Sequence, residues 1–154
     1  MHLRHDMIEC FVVRPTAASH EFLQILRSPG RYMAGVWHTV AGRIEAGETA
    51  VAAAVREMRE ETSLVPLELY CLDRIGSFYI PEQDTLWHSV VFCAIVPADA
   101  PVQLNEEHDA FRWMARDTAA AHFVWPGNRE SIAQVCTEIL DGSAAKPRMR
   151  VPLG

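Results

Sequence analysis

The run Thr49–Thr62 constrains this chain most: it has no glycine or proline, consists largely of alanine, arginine and glutamate, and opens on a threonine. Such residues lose little freedom in a helix, and a threonine at the N-cap satisfies one of the first free N–H groups, so a helix is predicted over Thr49–Thr62. Runs rich in valine, isoleucine and aromatic residues lie on both sides of it. Ile8–Val13 and Phe22–Leu26 read as the strands of an opening hairpin, separated by a Pro15–His20 turn region and ended by Ser28-Pro29-Gly30. Leu67–Ile80 and Leu86–Val96 read as longer strands, Val96–Val102 as a loop and Phe111–Ala115 as a short strand. Asn128–Leu140 reads as a closing helix that ends near Gly142. Strands and helices in this mixed order place the chain in the α/β or α+β class.

A chain of 154 residues that is 49% hydrophobic can bury one sizeable core, so one domain over residues 1–154 is expected. Its formal net charge of −6 argues against holding long nucleic acid on a broad basic surface. A small anionic substrate is compatible with that charge if a cation offsets the repulsion. Cys10, Cys71, Cys93 and Cys136 form no CxxC pair and read as reduced thiols of the core. The longest strongly apolar run, Val90–Val96, is far too short to cross a bilayer, and the opening residues hold no apolar leader, so a soluble cytoplasmic protein with no membrane partner is expected. The histidines (His2, His5, His20, His38, His88, His108 and His122) show neither HxxxH nor HExxH spacing and read as scattered surface or core residues.

Wound at about 100° per residue, the Thr49–Thr62 helix gathers Val51, Val55, Met58 and Thr62 on one stripe and Glu57, Glu60 and Glu61 on another face. Ala50 and Ala53 sit just before the carboxylates, where small side chains leave room for a bulky anion. Like charges four residues apart on a helix repel by about 0.2–0.5 kcal/mol, so the clustered carboxylates call for a cation. Hard cations take carboxylate oxygens together with substrate phosphates, which makes an acidic helix beside a glycine-bearing turn a platform for a metal and a phosphate. Most glutamate-rich helices are solvated faces balanced by lysine or arginine; the residues around this helix decide against that reading here.

From Gly42 the chain runs Gly42-Arg43-Ile44-Glu45-Ala46-Gly47-Glu48, then seven residues to Val55, then Arg56-Glu57-Met58-Arg59-Glu60-Glu61-Thr62-Ser63-Leu64. This resembles the Nudix box, GX5EX7REUXEEXGU with U aliphatic, at every fixed position except the last glycine, where Ser63 stands. The departure lies past the carboxylates and bears on the helix C-cap. The resemblance implies divalent metal, Mg²⁺ with Mn²⁺ as the alternative, on Glu57 and Glu61 with help from the Gly42 carbonyl. It makes Glu60 a further ligand or the base that prepares the attacking water, lets Arg56 orient the carboxylates and lets Glu48 tie the loop to the helix. Downstream, Glu107-His108-Asp109-Ala110-Phe111-Arg112-Trp113 resembles the E-H-x-x-x-x-W stretch before the last strand in many of these enzymes, which gives Glu107 a metal or general-base role and leaves Glu106 as the alternate.

For the substrate, Trp37, Phe78, Tyr79, Trp87 and Trp125 are candidates to stack on a flat ring, with Trp37 and Trp125 preferred. The stretch Trp125-Pro126-Gly127-Asn128-Arg129-Glu130-Ser131-Ile132 is similar to the W-x-N-R-x-x-I segment that opens the last helix in the dihydroneopterin triphosphate pyrophosphohydrolase subgroup. Arg27 and Arg31 are candidates for phosphate oxygens, and Asn128 and Arg129 for an anion at a helix start. The resemblance implies an α/β/α sandwich with a mixed sheet between helices. It implies a hydrolase that releases pyrophosphate from a nucleoside or dihydroneopterin triphosphate, or one that splits another nucleoside diphosphate linked to a group X, such as an oxidised nucleotide, ADP-ribose or a dinucleotide. A non-catalytic nucleotide sensor is the reading of another class, and it predicts lost box carboxylates. Homodimers are common among proteins of this kind.

Overall fold

The computed structural model describes residues 1–154. The chain forms β1 (His2–Pro15), β2 (His20–Arg27), β3 (Trp37–His38), β4 (Val40–Arg43), α1 (Ala50–Thr62), β5 (Glu68–Ile80), β6 (Thr85–Ile95) and β7 (His108–Ala115). Then follow α2 (Arg116–Ala119), α3 (Pro126–Gln134), whose last turns over Val135–Leu140 widen to a π-helix, α4 (Lys146–Met149) and β8 (Arg150–Val151). The strands form one mixed sheet in the order β3-β2-β1-β6-β5-β8, with β4 added beside β1 and β7 beside β2. β1 runs parallel to β6, from His2 opposite Thr85 to Val13 opposite Ile95, and antiparallel to its other partners.

The centre of β1 is buried on both faces, as its sequence Cys10-Phe11-Val12-Val13 demands. Ile8, Cys10 and Val12 face α1 in a core that also takes Leu23, Ile25, Val40, Leu69 and Phe92. Phe11 and Val13 face the opposite way and pack with Phe22, Tyr70, Phe123, Ile132 and Ile139 under α3. Helices therefore cover both faces of the sheet, the expected sandwich. No helix is long and apolar enough to cross a membrane.

The expected strands and helices are present, with three physical differences. β1 extends to His2, because its N-terminal half pairs with both β4 and β6 rather than with the hairpin partner, whose register covers only Val13–Pro15 against His20–Phe22. β7 begins at His108, where Arg27 at the end of β2 pairs with it. The packed face of α1 is Ala53, Ala54, Met58, Glu61 and Thr62, while Val51 and Val55 stay half-buried. The alanines let the helix approach the sheet closely, which rotates the contact line away from the valines and carries Glu61 into the interior. Ala53 is thus a core residue rather than a space left for an anion.

Both ends of α1 are fixed locally. The Thr49 hydroxyl accepts the Ala52 N–H at 3.1 Å. Ser63 adopts the left-handed conformation (φ 61°, ψ 10°) in which its N–H reaches the Arg59 carbonyl at 2.9 Å, and its hydroxyl donates to the Gln103 carbonyl. The cap is that of a glycine, held by a serine. All four cysteines are free, and Cys10 and Cys93 are buried.

Candidate active site

Arg56 organises the loop before α1. Its Nε and one terminal nitrogen donate to the two oxygens of Glu48 at 2.9 and 3.0 Å, and that same nitrogen donates to the Arg43 carbonyl at 2.8 Å. Its other terminal nitrogen donates to Glu57 at 2.8 Å and Glu60 at 3.3 Å. The planar fork is what allows one cation to fix three acidic side chains and a backbone turn together. Glu48 closes the turn by accepting the Glu45 N–H at 3.1 Å.

The Glu57 carboxyl lies directly over Gly42, where any Cβ would collide with it, so the glycine is what lets the carboxylate approach the β4 backbone. Burial raises the Glu57 pKa, while the Arg56 guanidinium works in the other direction. Glu60 points outward from the helix. Glu61 is only 1% exposed, its Oε2 has no hydrogen-bond partner, and burial together with the Glu57 charge pushes its pKa well above the usual carboxylate range. A buried carboxylate oxygen without a partner is costly, and a cation suits it as a counter-charge.

Glu107, in the turn just before β7, stands close by: ligand atoms of Glu61, Glu107 and His108 all lie within 4.8 Å of one another. Arg27 reaches Glu107 at 3.5 Å, and Arg31 sits at 4.0 Å from Glu107 and 3.8 Å from Glu106. The donor set of several carboxylates and a backbone turn suits a hard divalent cation, for which the orphaned Glu61 oxygen is a ready donor.

The NUDIX domain family model matches residues 6–135, which contain all of these groups. The chain belongs to the Nudix hydrolase family. It is 39% identical over 124 residues to an octanoyltransferase of Myxococcus xanthus, a match covering 79% of this chain and 34% of that one. The chain thus spans about a third of that relative's length. It is 30% identical over 110 residues to the dihydroneopterin triphosphate diphosphatase of Escherichia coli (strain K12), covering 64% of this chain and 73% of that one. The crystal structure of a Caenorhabditis elegans Ap4A hydrolase binary complex superimposes with a TM-score of 0.71 at 20% identity, over 88% of this chain and 96% of the other.

Within this Nudix fold the remaining sequence candidates fall into separate places. Trp37 is half-buried in β3, with the Arg112 guanidinium 4.1 Å above its ring, so one of its faces is already covered. Trp125 is 51% exposed at the start of α3. Trp87 is nearly buried at the β5–β6 end, stacked with Phe78 and flanked by Arg4 and Arg43, and the Tyr79 hydroxyl donates to Asp84. Asn128 donates from Nδ2 to Glu9 at 3.0 Å, and Ser89 donates to the other Glu9 oxygen at 2.5 Å. By the alternation of β1, Glu9 lies on the face opposite Ile8 and Cys10, so Asn128 is anchored on the α3 side of the sheet, away from the α1 carboxylates. Arg129 donates to the Phe123 and Val124 carbonyls and so shapes the turn before α3.

His108 is a core residue as expected, but it and His38 are not scattered. His38 and His108 meet with their Nε2 atoms 3.0 Å apart. Burial holds their pKa values down, to about 3 for His38 and about 4 for His108, so both are neutral near pH 7. The pair has no local sequence signal. It forms because β3 and β7 flank β2, with His38 opposite Ile25 and His108 opposite Arg27.

Proposed function

We propose that residues 1–154 act as one hydrolase domain that cuts a phosphoanhydride bond with a divalent cation, Mg²⁺ or Mn²⁺, and releases pyrophosphate from a nucleoside or dihydroneopterin triphosphate. The observation that carries this reading is the buried Glu61 carboxylate, whose Oε2 has no partner, packed near Glu57 and Glu107 in a Nudix box that keeps all its carboxylates. Glu57 and Glu61 are the cation's principal ligands, with the Gly42 carbonyl, Glu60 and Glu107 as further oxygen donors. When bound, the cation neutralises charge on the anhydride and acidifies water.

The chain's own residues supply the rest. Arg56 holds Glu57 and Glu60 in place, so the carboxylates do not have to be ordered at the moment of reaction. Glu60, exposed on the helix, and Glu107, held by Arg27 and Arg31, are the groups placed to take a proton from the attacking water. Arg27 and Arg31 present guanidinium forks beside that carboxylate, where they bind phosphate oxygens of the substrate and orient the leaving group. Trp37 on β3, with the Arg112 guanidinium over one face of its ring, is one candidate to stack on the flat portion of the substrate; Trp125, exposed at the start of α3, is the other and requires the substrate to reach the side of the sheet where Asn128 is anchored.

The similarity to the dihydroneopterin triphosphate diphosphatase supports a triphosphate. The likeness to an Ap4A hydrolase keeps a second class in view, dinucleotides and other nucleoside diphosphate-X compounds, because fold does not choose substrate. A sensor without catalysis is disfavoured by the presence of Glu57, Glu60 and Glu61 together.

The test is product analysis on dihydroneopterin triphosphate, nucleoside triphosphates, ADP-ribose and a dinucleoside polyphosphate, each with cation and with chelator. Cation-dependent pyrophosphate from a triphosphate is the expected result. Preferential cleavage of ADP-ribose or the dinucleotide would move the protein to the second class.

A further inference from the structure

We infer that Glu9 reads the ring of the substrate, and that the ring it selects carries a ring N–H beside a 2-amino group on one edge, as a guanine or a pterin does. The inference rests on the triphosphate reading above and adds to it the class of ring and the side chain that recognises it.

Glu9, Ala41 and Trp37 share the α3 face of the sheet. Ile8 and Cys10 face α1, so Glu9 between them faces α3, and Ala41 stands directly opposite it on β4. Leu23 and Ile25 also face α1, which puts Leu26 and its partner Trp37 on the α3 side. There Arg112, held by the Gln24 side-chain oxygen at 2.8 Å, covers one face of the indole. Asn128 and the exposed Trp125 border the same side from the start of α3. β4 pairs with β1 alone, so its other edge has no strand neighbour. Glu57 lies over Gly42, the next residue along β4, on the α1 side of that strand. Phosphates held beside Glu57 are thus one strand away from the α3 face, and a ring carried round the open edge of β4 comes to rest against the Ala41 methyl, beside Glu9.

The Glu9 carboxylate is held as an acceptor. One oxygen accepts the Ser89 hydroxyl at 2.5 Å and the other accepts Asn128 Nδ2 at 3.0 Å. A Cβ at Gly76 would stand 2.1 Å from the Ser89 hydroxyl and 2.3 Å from a Glu9 oxygen, so the glycine leaves the space in which that bond forms. Both donors are neutral and each carboxylate oxygen has two lone pairs, so an acceptor position remains on each. Such a carboxylate takes two parallel N–H groups as it takes the fork of an arginine. Guanine and pterin present that pair, a ring N–H beside the 2-amino group. Adenine presents a ring acceptor beside its amino group and sets a lone pair against the carboxylate. The competing account of Glu9 is a structural tie that anchors α3 to the sheet and touches no substrate.

The full-length protein with cation separates these accounts through kcat/KM on guanosine, inosine, adenosine and dihydroneopterin triphosphates, together with calorimetric binding of the α,β-methylene analogues of the guanosine and adenosine triphosphates. The guanosine or the pterin compound is expected to exceed adenosine by about a hundredfold, with inosine, which keeps the ring N–H and lacks the 2-amino group, in between. Whichever of guanosine and pterin is faster identifies the source of the ring. Glu9→Gln exchanges one acceptor oxygen for a donor that matches adenine, and the Asn128 amide can turn to accept from it. This variant is expected to shift the guanosine-to-adenosine ratio toward adenosine by about a hundredfold in turnover and in binding, whereas a structural tie predicts equal losses on every ring. Turnover without preference for guanosine or pterin over adenosine, or a ratio that Glu9→Gln leaves unmoved, would overturn the inference and leave the hydrolase reading standing. Preferential binding of the guanosine analogue by a protein that turns over none of the triphosphates would uphold the ring selection and overturn the hydrolase reading, and equal binding of the two analogues by such a protein would overturn both.

Discussion

Glu61 is where stability and function pull apart. Its folded pKa lies above the unfolded value, so the folded state binds the proton more tightly; the penalty for its charge is absent below about pH 4.5 and grows as pH rises through the folded pKa. At neutral pH without cation the protein carries that penalty in full or in part. Glu61→Gln is therefore expected to raise the melting temperature in chelator, by roughly 1–2 kcal/mol or a few degrees, while lowering turnover about a hundredfold or more. Thermal denaturation with and without cation checks the first half; unaltered protein should also gain stability from cation while the variant does not. A variant that melts lower in chelator and still responds to cation would contradict the placement of this carboxylate. The sequence marked Glu57, Glu60 and Glu61 as a group, yet it did not reveal that Glu61 is interior, because that depends on how closely Ala53 and Ala54 let the helix approach the sheet.

At the scale of the element, α1 and its caps were the most legible part, since capping and helix propensity act within a few residues. The exception is Ser63, which holds a left-handed conformation that glycine adopts without cost. Ser63→Gly is expected to stabilise the protein by about 0.5 kcal/mol, the relief of strain being partly offset by loss of the hydroxyl's bond to the Gln103 carbonyl. Chemical denaturation measures this, and a destabilised variant would mean that the Gln103 contact outweighs the cap. The strands β5 and β6 were equally readable from their apolar runs. β3, β4 and β8 were not, because strands of two to four residues carry no periodicity of their own and exist only by pairing with β1, β2 and β5.

For the whole molecule, the long-range pairings of the sheet decide what sequence spacing cannot. His38 and His108, seventy residues apart, become neighbours because their strands lie on either side of β2. Both have folded pKa values depressed below the usual value of about 6.5, so the unfolded chain takes up protons first as the pH falls. The stability that depends on keeping them neutral is complete above about pH 6.5 and is lost progressively toward pH 4 and below. Glu61 opposes this trend, so the clean background is Glu61→Gln in chelator, where stability is expected to fall by up to about 2 kcal/mol per pH unit between pH 6 and pH 5. Replacing both histidines with asparagine in that background should flatten the profile; an unchanged slope would assign the acid sensitivity to other groups.

We propose that a cation held by the α1 carboxylates drives hydrolysis of a phosphoanhydride. It is tested most directly by titrating turnover of the best substrate in the panel against free divalent cation, for the unaltered protein and for Glu57→Gln and Glu61→Gln. Saturable activation from a zero baseline in the unaltered protein, with both variants reduced about a hundredfold or more across the titration, is the expected result. Turnover that persists in chelator, or variants that keep near-normal activity at the same cation concentrations, would contradict it.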